Sequence, residues 1–438
     1  MRRKDNSPRE YDLTIERLSH EGRGVGHVEG KTVFVADALP GEKIHAHVTR
    51  RHRRFDEAAT GTLEHPSADR VVPVCAHATL CGGCSLQHLA HEAQLAHKQA
   101  VLLELLKHQG NTRPAEILPP ITGPLWGYRR RARLSVRMVH KKGRVLVGFR
   151  EKSTHYVTEV THCAVLHPSV GERLPALRDL IDSLSIREQI PQIEMAVADD
   201  ATLLAIRNLA PPTAADLVLL RAFEQATGLH LYLQPADPSS CTPVSAPVNL
   251  HYTIPGLRFG FRSGDFTQVN AVVNAELVGT AVKALDPRPD ERVLDLFCGL
   301  GNFTLPLART GAASVLGLDG DAALVERARE NAEANGCANV TFERADLFSE
   351  EGVPQLVGRT FDKILLDPPR SGAEQVLRAL DLGATRRLVY VSCNPVTLAR
   401  DTAILVRDRG FRLQAAGIVD MFPHTAHVES IALFEPRR

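Results

Sequence analysis

The segment VSCNP at 391–395 sets Cys393 at the end of an apolar run, with Pro395 two residues on. Proline suits the first turn of a helix. Cys393 is therefore expected between a strand and a helix N-terminus, where the helix dipole lends a thiol thiolate character. Near the C-terminus, Glu429 stands between the apolar residues Val428 and Ile431, an awkward place for a carboxylate without a task. A thiolate and a carboxylate together suit one kind of reaction. Covalent addition activates a neighbouring ring carbon, and a base later removes a proton so that the thiolate can leave. His424 and His427 are near in sequence and could position groups there.

A second constellation opens at 293–304, VLDLFCGLGNFT. A buried strand, a Gly-x-Gly turn and a helix follow one another, and Gly299 and Gly301 let the backbone approach a ligand closely. A dinucleotide fingerprint would need a third glycine where Thr304 stands, which argues against a nicotinamide cofactor. Asp319 ends the next strand, where an acid typically holds ribose hydroxyls, and Asp346 follows the third. Cys298, in the turn itself, reads as a small packing residue. The segment LLDPPR at 365–370 puts Asp367 at a further strand end. An enzyme methylating an exocyclic amine would carry an aromatic residue where Arg370 stands. A cytosine-carbon-5 enzyme would carry a cysteine in that segment, and none is present.

Cys75, Cys81 and Cys84 fall within ten residues, and Cys163 is the best fourth member of the set. Four thiolates suit either structural zinc or an iron–sulfur cluster, and spacing does not decide between them. The net charge is only +1, yet residues 127–152 hold ten basic residues against the single acid Glu151. Within that stretch Arg131 and Arg133 alternate with apolar residues, so a strand would show them on one face. That face is a candidate platform for a polyanion such as RNA.

The elements that must position these groups are legible in outline. Residues 11–63 show five short strands separated by glycine-rich turns, as in an OB-like β-barrel. A helical stretch covers 87–109 and a hairpin covers 128–150. From about residue 286 strands and helices alternate: strands at 292–297, 314–319, 340–344, 363–367 and 387–392, and helices at 302–309 and 322–335. This is the pattern of a parallel, doubly wound sheet with ligands at the carboxyl ends of its strands. The expected organisation is thus multidomain: a barrel at 1–66, a central α+β domain at 67–262 holding the cysteines and the basic hairpin, and an α/β domain at 263–438. No apolar run is long enough to span a membrane, and the charged N-terminus is not followed by an apolar stretch. A cytoplasmic protein without an obligate protein partner is expected.

Taken together, these motifs resemble a known family. DLFCGLGNF is similar to motif I of class I S-adenosyl-L-methionine (SAM) methyltransferases. With LLDPPRSG, VSCNPVTLARD and DMFPHTAHVES it resembles the RNA uracil-carbon-5 methyltransferases. The resemblance implies a nucleophile at Cys393 and a base at Glu429. It implies SAM contacts at Gln268, Phe297, Asn302, Asp319, Asp346 and Asp367. The segment GRGVG at 22–26, with Phe34-Val35 and Pro40-Gly41-Glu42, resembles the TRAM domain of RNA-modifying enzymes. Barrel, cysteine layout and length are most similar to family members that methylate uridine 1939 of 23S rRNA and carry a [4Fe–4S] cluster. That likeness implies the cluster rather than zinc on Cys75, Cys81, Cys84 and Cys163, with 23S rRNA as the partner. Two alternatives stay open: the same chemistry at another 23S rRNA or tRNA uridine, and an iron–sulfur redox or RNA-binding assembly protein with an idle methyltransferase fold.

Overall fold

The computed structural model describes residues 9–349, 356 and 358–437. The chain packs as two compact units. One takes the chain up to Val101 together with Arg150–His155 and Phe422–His427. The other takes Leu102–Phe149, Tyr156–Met421 and the chain from Val428 onward. Among the described residues no helix is long and apolar enough to cross a membrane.

The first unit carries a six-stranded sheet: Glu10–Thr14, Arg17–Leu18, Gly24–Val28, Lys31–Ala36, Lys43–Arg51 and Phe55–His65. The sequence suggested five strands. The extra one, Arg17–Leu18, has only two residues, paired with Val25 and Gly24, too short to show a period of two. Alternation elsewhere buries Leu13, Ile15, Val33, Val35, Ile44 and Ala46 on one face. At Gly26 a Cβ would come 2.6 Å from the Thr14 carbonyl oxygen, so only glycine permits this close strand approach.

A buried carboxylate ties this sheet to the segment that follows it. Glu42 is fully buried. It accepts the amides of Leu39 at 2.7 Å and Ser67 at 3.1 Å, and the Arg70 guanidinium at 2.7 Å. Burial pushes its pKa up, but Arg70 and the two amides outweigh that and hold it below the ordinary glutamate range.

In the second unit a six-stranded sheet runs in the order Thr242–Pro243, His230–Gln234, Thr202–Arg207, Gln192–Val197, Arg131–Val139 and Arg144–Gly148. The last two form the basic hairpin read from the sequence, turning through His140–Lys142 and Gly143. Within it Leu134 and Val136 are buried and Arg133 and Arg137 exposed, as alternation requires.

The same unit holds an eight-stranded sheet. Its order is Val340–Arg344, Ser314–Asp319, Arg292–Leu296, Lys363–Leu366, Arg387–Ser392, Glu429–Pro436, Phe411–Val419 and Glu116–Ile117. The first five strands are parallel, as expected, and nearly every residue in their centre is buried. The sheet is not parallel throughout, however. Glu429–Pro436 enters antiparallel between Arg387–Ser392 and Phe411–Val419. The short turn-and-loop link from 420 to 428 leaves no room for a crossover helix, so the chain must return in the opposite sense.

Because folding holds the Glu42 pKa below its unfolded value, its contribution is present above about pH 4.5 and is lost as pH falls through the lowered value. Glu42→Gln should destabilise the first unit at pH 7 by about 1–3 kcal/mol, the cost of a broken buried hydrogen-bond set. The gap to wild type should narrow toward pH 3. Denaturant unfolding at both pH values tests this, and a gap independent of pH would assign the effect to packing instead.

Candidate active site

The parallel strands end side by side, and their carboxyl ends hold most of the residues singled out in the sequence. Asp319 closes Ser314–Asp319. Its carboxylate accepts the amide of Gly299 at 2.9 Å and that of Asp321 at 2.9 Å, which fixes its rotamer. The turn between Arg292–Leu296 and helix Thr304–Arg309 has a positive φ at three alternate positions: Phe297 at 63°, Gly299 at 54° and Gly301 at 94°. Nothing lies within 4 Å of the place a Gly299 Cβ would occupy, so the turn opens a backbone cradle. A positive φ at a phenylalanine costs conformational energy and marks a functional turn. The Phe297 ring meets Phe348 at a centroid separation of 5.4 Å. Phe348 in turn follows Asp346, whose carboxylate accepts the Phe348 amide at 3.0 Å. Asp319, Phe297 and Asp346 thus surround one cradle.

Asn302 has a different setting. Its side-chain oxygen accepts from the Tyr252 hydroxyl at 2.8 Å and from Asn274 at 3.0 Å, and it donates back to Asn274 at 3.0 Å. At most one side-chain N–H remains for a ligand. Gln268 is half-buried in the loop between strand Leu257–Phe261 and helix Ala271–Leu285.

A buried acid field adjoins the cradle. Asp295 is fully buried, and burial, with Asp319 nearby, pushes its pKa up to about 7 against the opposing Thr304 hydroxyl at 2.6 Å. Asp367 is raised well above its ordinary value by burial, then by Glu429 and by Asp295. Carboxylates gathered this way are suited to a cationic, hydroxyl-bearing ligand, which would relieve their mutual repulsion. SAM, with a sulfonium, an ammonium and a ribose diol, has that chemistry, and the open Gly299 turn leaves space for it.

Cys393 follows the last parallel strand, and Ser392 pairs with Ser430 across the antiparallel join. That register brings Cys393 and Glu429 to the same rim, and Glu429 is buried there. The helix begins at Pro395 as expected, capped by Asn394, which accepts the Val396 amide at 3.1 Å. The expectation of thiolate character in the protein alone is overturned. Burial, then Glu429 and Asp367, push the Cys393 thiol up to about 11, and Arg370 opposes them only in part. The field of two carboxylates outweighs one helix end, whose influence is small and short-ranged.

The sequence quoted VTLARD without assigning it work, and the structure supplies that work. Asn394 and the Thr397 hydroxyl both donate to the Arg370 carbonyl, at 2.9 and 3.2 Å, and Arg400 donates to that of Ser371 at 2.9 Å. Asp401, fully buried, accepts the Ala373 amide at 2.7 Å and the Tyr390 hydroxyl at 2.6 Å. Helix Pro395–Ala403 therefore holds the loop carrying Asp367 against the strand end carrying Cys393. An acid at helical spacing behind the cysteine was the available signal.

The remaining predicted residues lie elsewhere. Arg131 is largely desolvated, with its pKa lowered by burial, and donates to the Ser263 carbonyl at 3.1 Å. Its guanidinium is engaged within the unit, so the expected paired Arg131–Arg133 platform is reduced to Arg133. Arg133 is exposed and ion-paired with Glu194 at 2.8 Å. Cys75, Cys81 and Cys84 belong to the first unit and Cys163 to the second. The Gly83 amide points at the Cys81 sulfur at 3.4 Å, a contact that favours a ligating thiolate. Gly82 is pinned by its amide to the Arg150 carbonyl at 2.8 Å, and a Cβ there would strike that oxygen. Three of the four thiols thus share the first unit, one of them with an amide aimed at its sulfur. His424 and His427 fall in the first unit. The His424 amide donates to Gln94 at 2.8 Å, and the His427 ring meets Phe422 edge-on.

Asp401→Ala should strand the Tyr390 hydroxyl and the Ala373 amide, at about 1–3 kcal/mol for each buried donor. Denaturant unfolding checks this, and unchanged stability would mean both donors find other acceptors.

Comparison with known proteins bears on the whole chain. A family model described as tRNA (Uracil-5-)-methyltransferase matches residues 90–437, and a TRAM domain model matches residues 8–59. The 23S rRNA (uracil(1939)-C(5))-methyltransferase RlmD of Alkalilimnicola ehrlichii is 52% identical, with 99% of this chain and 98% of that protein covered. The enzyme of the same description from Methylococcus capsulatus is 49% identical, with 96% of each chain covered. Among solved structures, the Pyrococcus abyssi tRNA (uracil-54, C5)-methyltransferase in complex with S-adenosyl-L-homocysteine shares the fold. It has a TM-score of 0.75 at 23% identity, covering 97% of this chain and 100% of that one. The chain carries an N-terminal TRAM domain and a class I SAM-dependent methyltransferase fold, and it belongs to the RNA uracil-carbon-5 methyltransferase family.

Proposed function

We propose that this chain methylates carbon 5 of uridine 1939 in 23S rRNA, with SAM as methyl donor. The near full-length identity to enzymes described by that activity carries the substrate assignment. The pairing of Cys393 with Glu429 across the Ser392–Ser430 register supports the chemistry. An idle fold serving only redox or assembly would have no use for a half-buried thiol and a buried acid on one rim. The work divides among three segments: 1–66 as an RNA-binding barrel, 67–262 carrying the cysteines and the basic hairpin, and 263–438 as the catalytic domain. Arg133 supplies a cation for the RNA backbone. The chain works in the cytoplasm, with rRNA.

SAM supplies an electrophilic methyl group on a positively charged sulfur. Asp319 orients its ribose, Asp346 its adenine amine and Asp367 its cationic end, with Phe297, Asn302 and Gln268 completing the enclosure. Carbon 5 of uracil is too poor a nucleophile to take that methyl unaided. The target base leaves its stack, and the Cys393 thiol gives its proton to water as sulfur bonds to carbon 6. The carbon 5–carbon 6 pair of electrons moves toward the carbonyl at carbon 4, leaving an enolate whose carbon 5 takes the methyl group as the sulfur–methyl bond breaks and S-adenosyl-L-homocysteine departs. Glu429 then takes the hydrogen from carbon 5. The electrons of that C–H bond restore the double bond, the carbon–sulfur bond breaks, and Cys393 is regenerated. A thiol whose pKa is pushed up to about 11, first by burial, stays protonated and is inert toward bystanders. A cation brought into the acid field lowers the cost of its thiolate.

Cys75, Cys81, Cys84 and Cys163 hold a [4Fe–4S] cluster in this reading, supported by the thiol-only donor set. Cys81→Ser or Cys163→Ser should lose iron, sulfide and the brown absorbance in anaerobic preparations. One zinc per chain without iron or sulfide sinks the cluster.

The catalytic assignment makes two variants differ in kind. Cys393→Ala should form no covalent RNA adduct. Glu429→Gln should transfer the methyl group but release product about a hundred- to ten-thousand-fold more slowly, the usual worth of a general base. It should accumulate methylated RNA bonded to Cys393 that survives denaturing electrophoresis. Methylation by Cys393→Ala at a comparable rate, or an adduct mapped to Cys298, defeats the mechanism.

A further inference from the structure

The edge of the sheet in the first unit carries a group that the methylation chemistry does not use. His45 and His47 are two apart on strand Lys43–Arg51, so both imidazoles stand on one face. Across the pairing, Glu10 faces His47 and Asp12 faces His45 on strand Glu10–Thr14. Glu10 reaches both rings. One carboxylate oxygen lies 3.1 Å from His45 Nε2 and the other 3.1 Å from His47 Nδ1. One donor atom from each of the three residues lies within 4.8 Å of the other two.

We propose that Glu10, His45 and His47 form a binding site for a divalent transition-metal ion of the zinc type, with Asp12 orienting His45. The spacing is the first argument. Ligands held at about 2.0–2.1 Å around a tetrahedral ion are separated by about 3.3 Å along an edge. The two 3.1 Å separations are close to that edge, so a small rotation of the Glu10 carboxylate serves. The second argument is the outer partner. His45 Nδ1 lies 2.7 Å from the Asp12 carboxylate, which holds the proton on Nδ1 and leaves the Nε2 lone pair for the ion. A carboxylate behind a ligating histidine is a recurrent part of metal sites. The third is the donor set, two imidazoles and a carboxylate, which selects zinc, nickel or copper over calcium or magnesium. Glu10 and His47 are exposed, so a fourth position is open to water or to a donor from a partner, and the rigid paired strands supply the preorganisation. An ion there neutralises the two carboxylates Glu10 and Asp12 at this edge of the sheet, which suits a surface beside a polyanion.

Calorimetric titration of the anaerobically purified full chain with zinc chloride tests the site, with thermal unfolding measured in parallel. Wild type should bind one zinc with micromolar or better affinity, and its melting temperature should rise with zinc. His45→Gln and His47→Gln should each lose that binding step and the thermal shift. Asp12→Asn keeps all three ligands and should weaken binding about tenfold or more through loss of the outer partner. The substitutions fall on the rim of a sheet whose core lies on the other face, so zinc-free melting temperatures should match wild type. Unaltered zinc binding in both histidine variants, or no binding by wild type up to millimolar zinc, overturns the proposal.

Discussion

Adjacent parallel strands lie only about 4.8 Å apart, and the chemistry depends on that spacing. The order 314–319, 292–296, 363–366, 387–392 sets the ends of four strands in a row. Asp319, the 297–301 turn, Asp367 and Cys393 follow from it as neighbours, although they span most of a hundred residues of chain. The strand Glu429–Pro436 then runs the other way, so that Ser430, next to its first residue, meets Ser392, the last of Arg387–Ser392. A parallel strand in that place would have put Glu429 at the opposite end of the sheet. The antiparallel entry creates the pairing of thiol and acid.

This arrangement has an electrostatic consequence. Asp295, Asp367 and Glu429 crowd a buried region, and each makes ionisation of its neighbours harder. Cys393 feels the same field. The protein alone therefore holds its thiol protonated beside Asp295 and Asp367, both of which resist ionisation. A ligand bearing positive charge changes the balance for all of them together, because the interactions are strong in a low-dielectric site. In the proposed mechanism, reactivity at Cys393 therefore depends on what occupies the neighbouring cradle.

The supporting contacts explain how such a field is tolerated. Helix Pro395–Ala403 returns from Cys393 and fastens the Asp367 loop by Asn394, Thr397, Arg400 and Asp401. Gly372 sits where any Cβ would strike Arg400 and Asp401, so the loop closes tightly over the helix. Rigid fastening stops the acids from swinging apart to relieve their repulsion. The orphaned oxygen of Asp295, buried without a hydrogen-bond partner, is strain of the kind a binding site retains.

The sequence alone determined a good deal. Strands 314–319, 340–344 and 387–392 have the bounds read from the sequence; in the first and last this is because buried parallel strands are largely apolar and end at charged or small residues. Motif chemistry singled out Cys393, Glu429, Asp319 and Asp367, and the structure sets each of them at the end of a strand or just past it. Other features were hidden for physical reasons. Strand direction depends on pairing between distant segments, so the antiparallel entry of Glu429 could not be read locally. The thiol's acidity depends on carboxylates brought from 367 and 429, and the local cue, a helix start, pointed the other way. Arg131 and Arg133 look equivalent in an alternating strand. Only packing against Ser263 takes Arg131 out of water and leaves Arg133 at the surface. The pairing of His45 and His47 with Glu10 likewise required the register of two strands. One-dimensional order fixes which groups exist and which way each element faces; the distances that tune their ionisation exist only after the sheet has assembled.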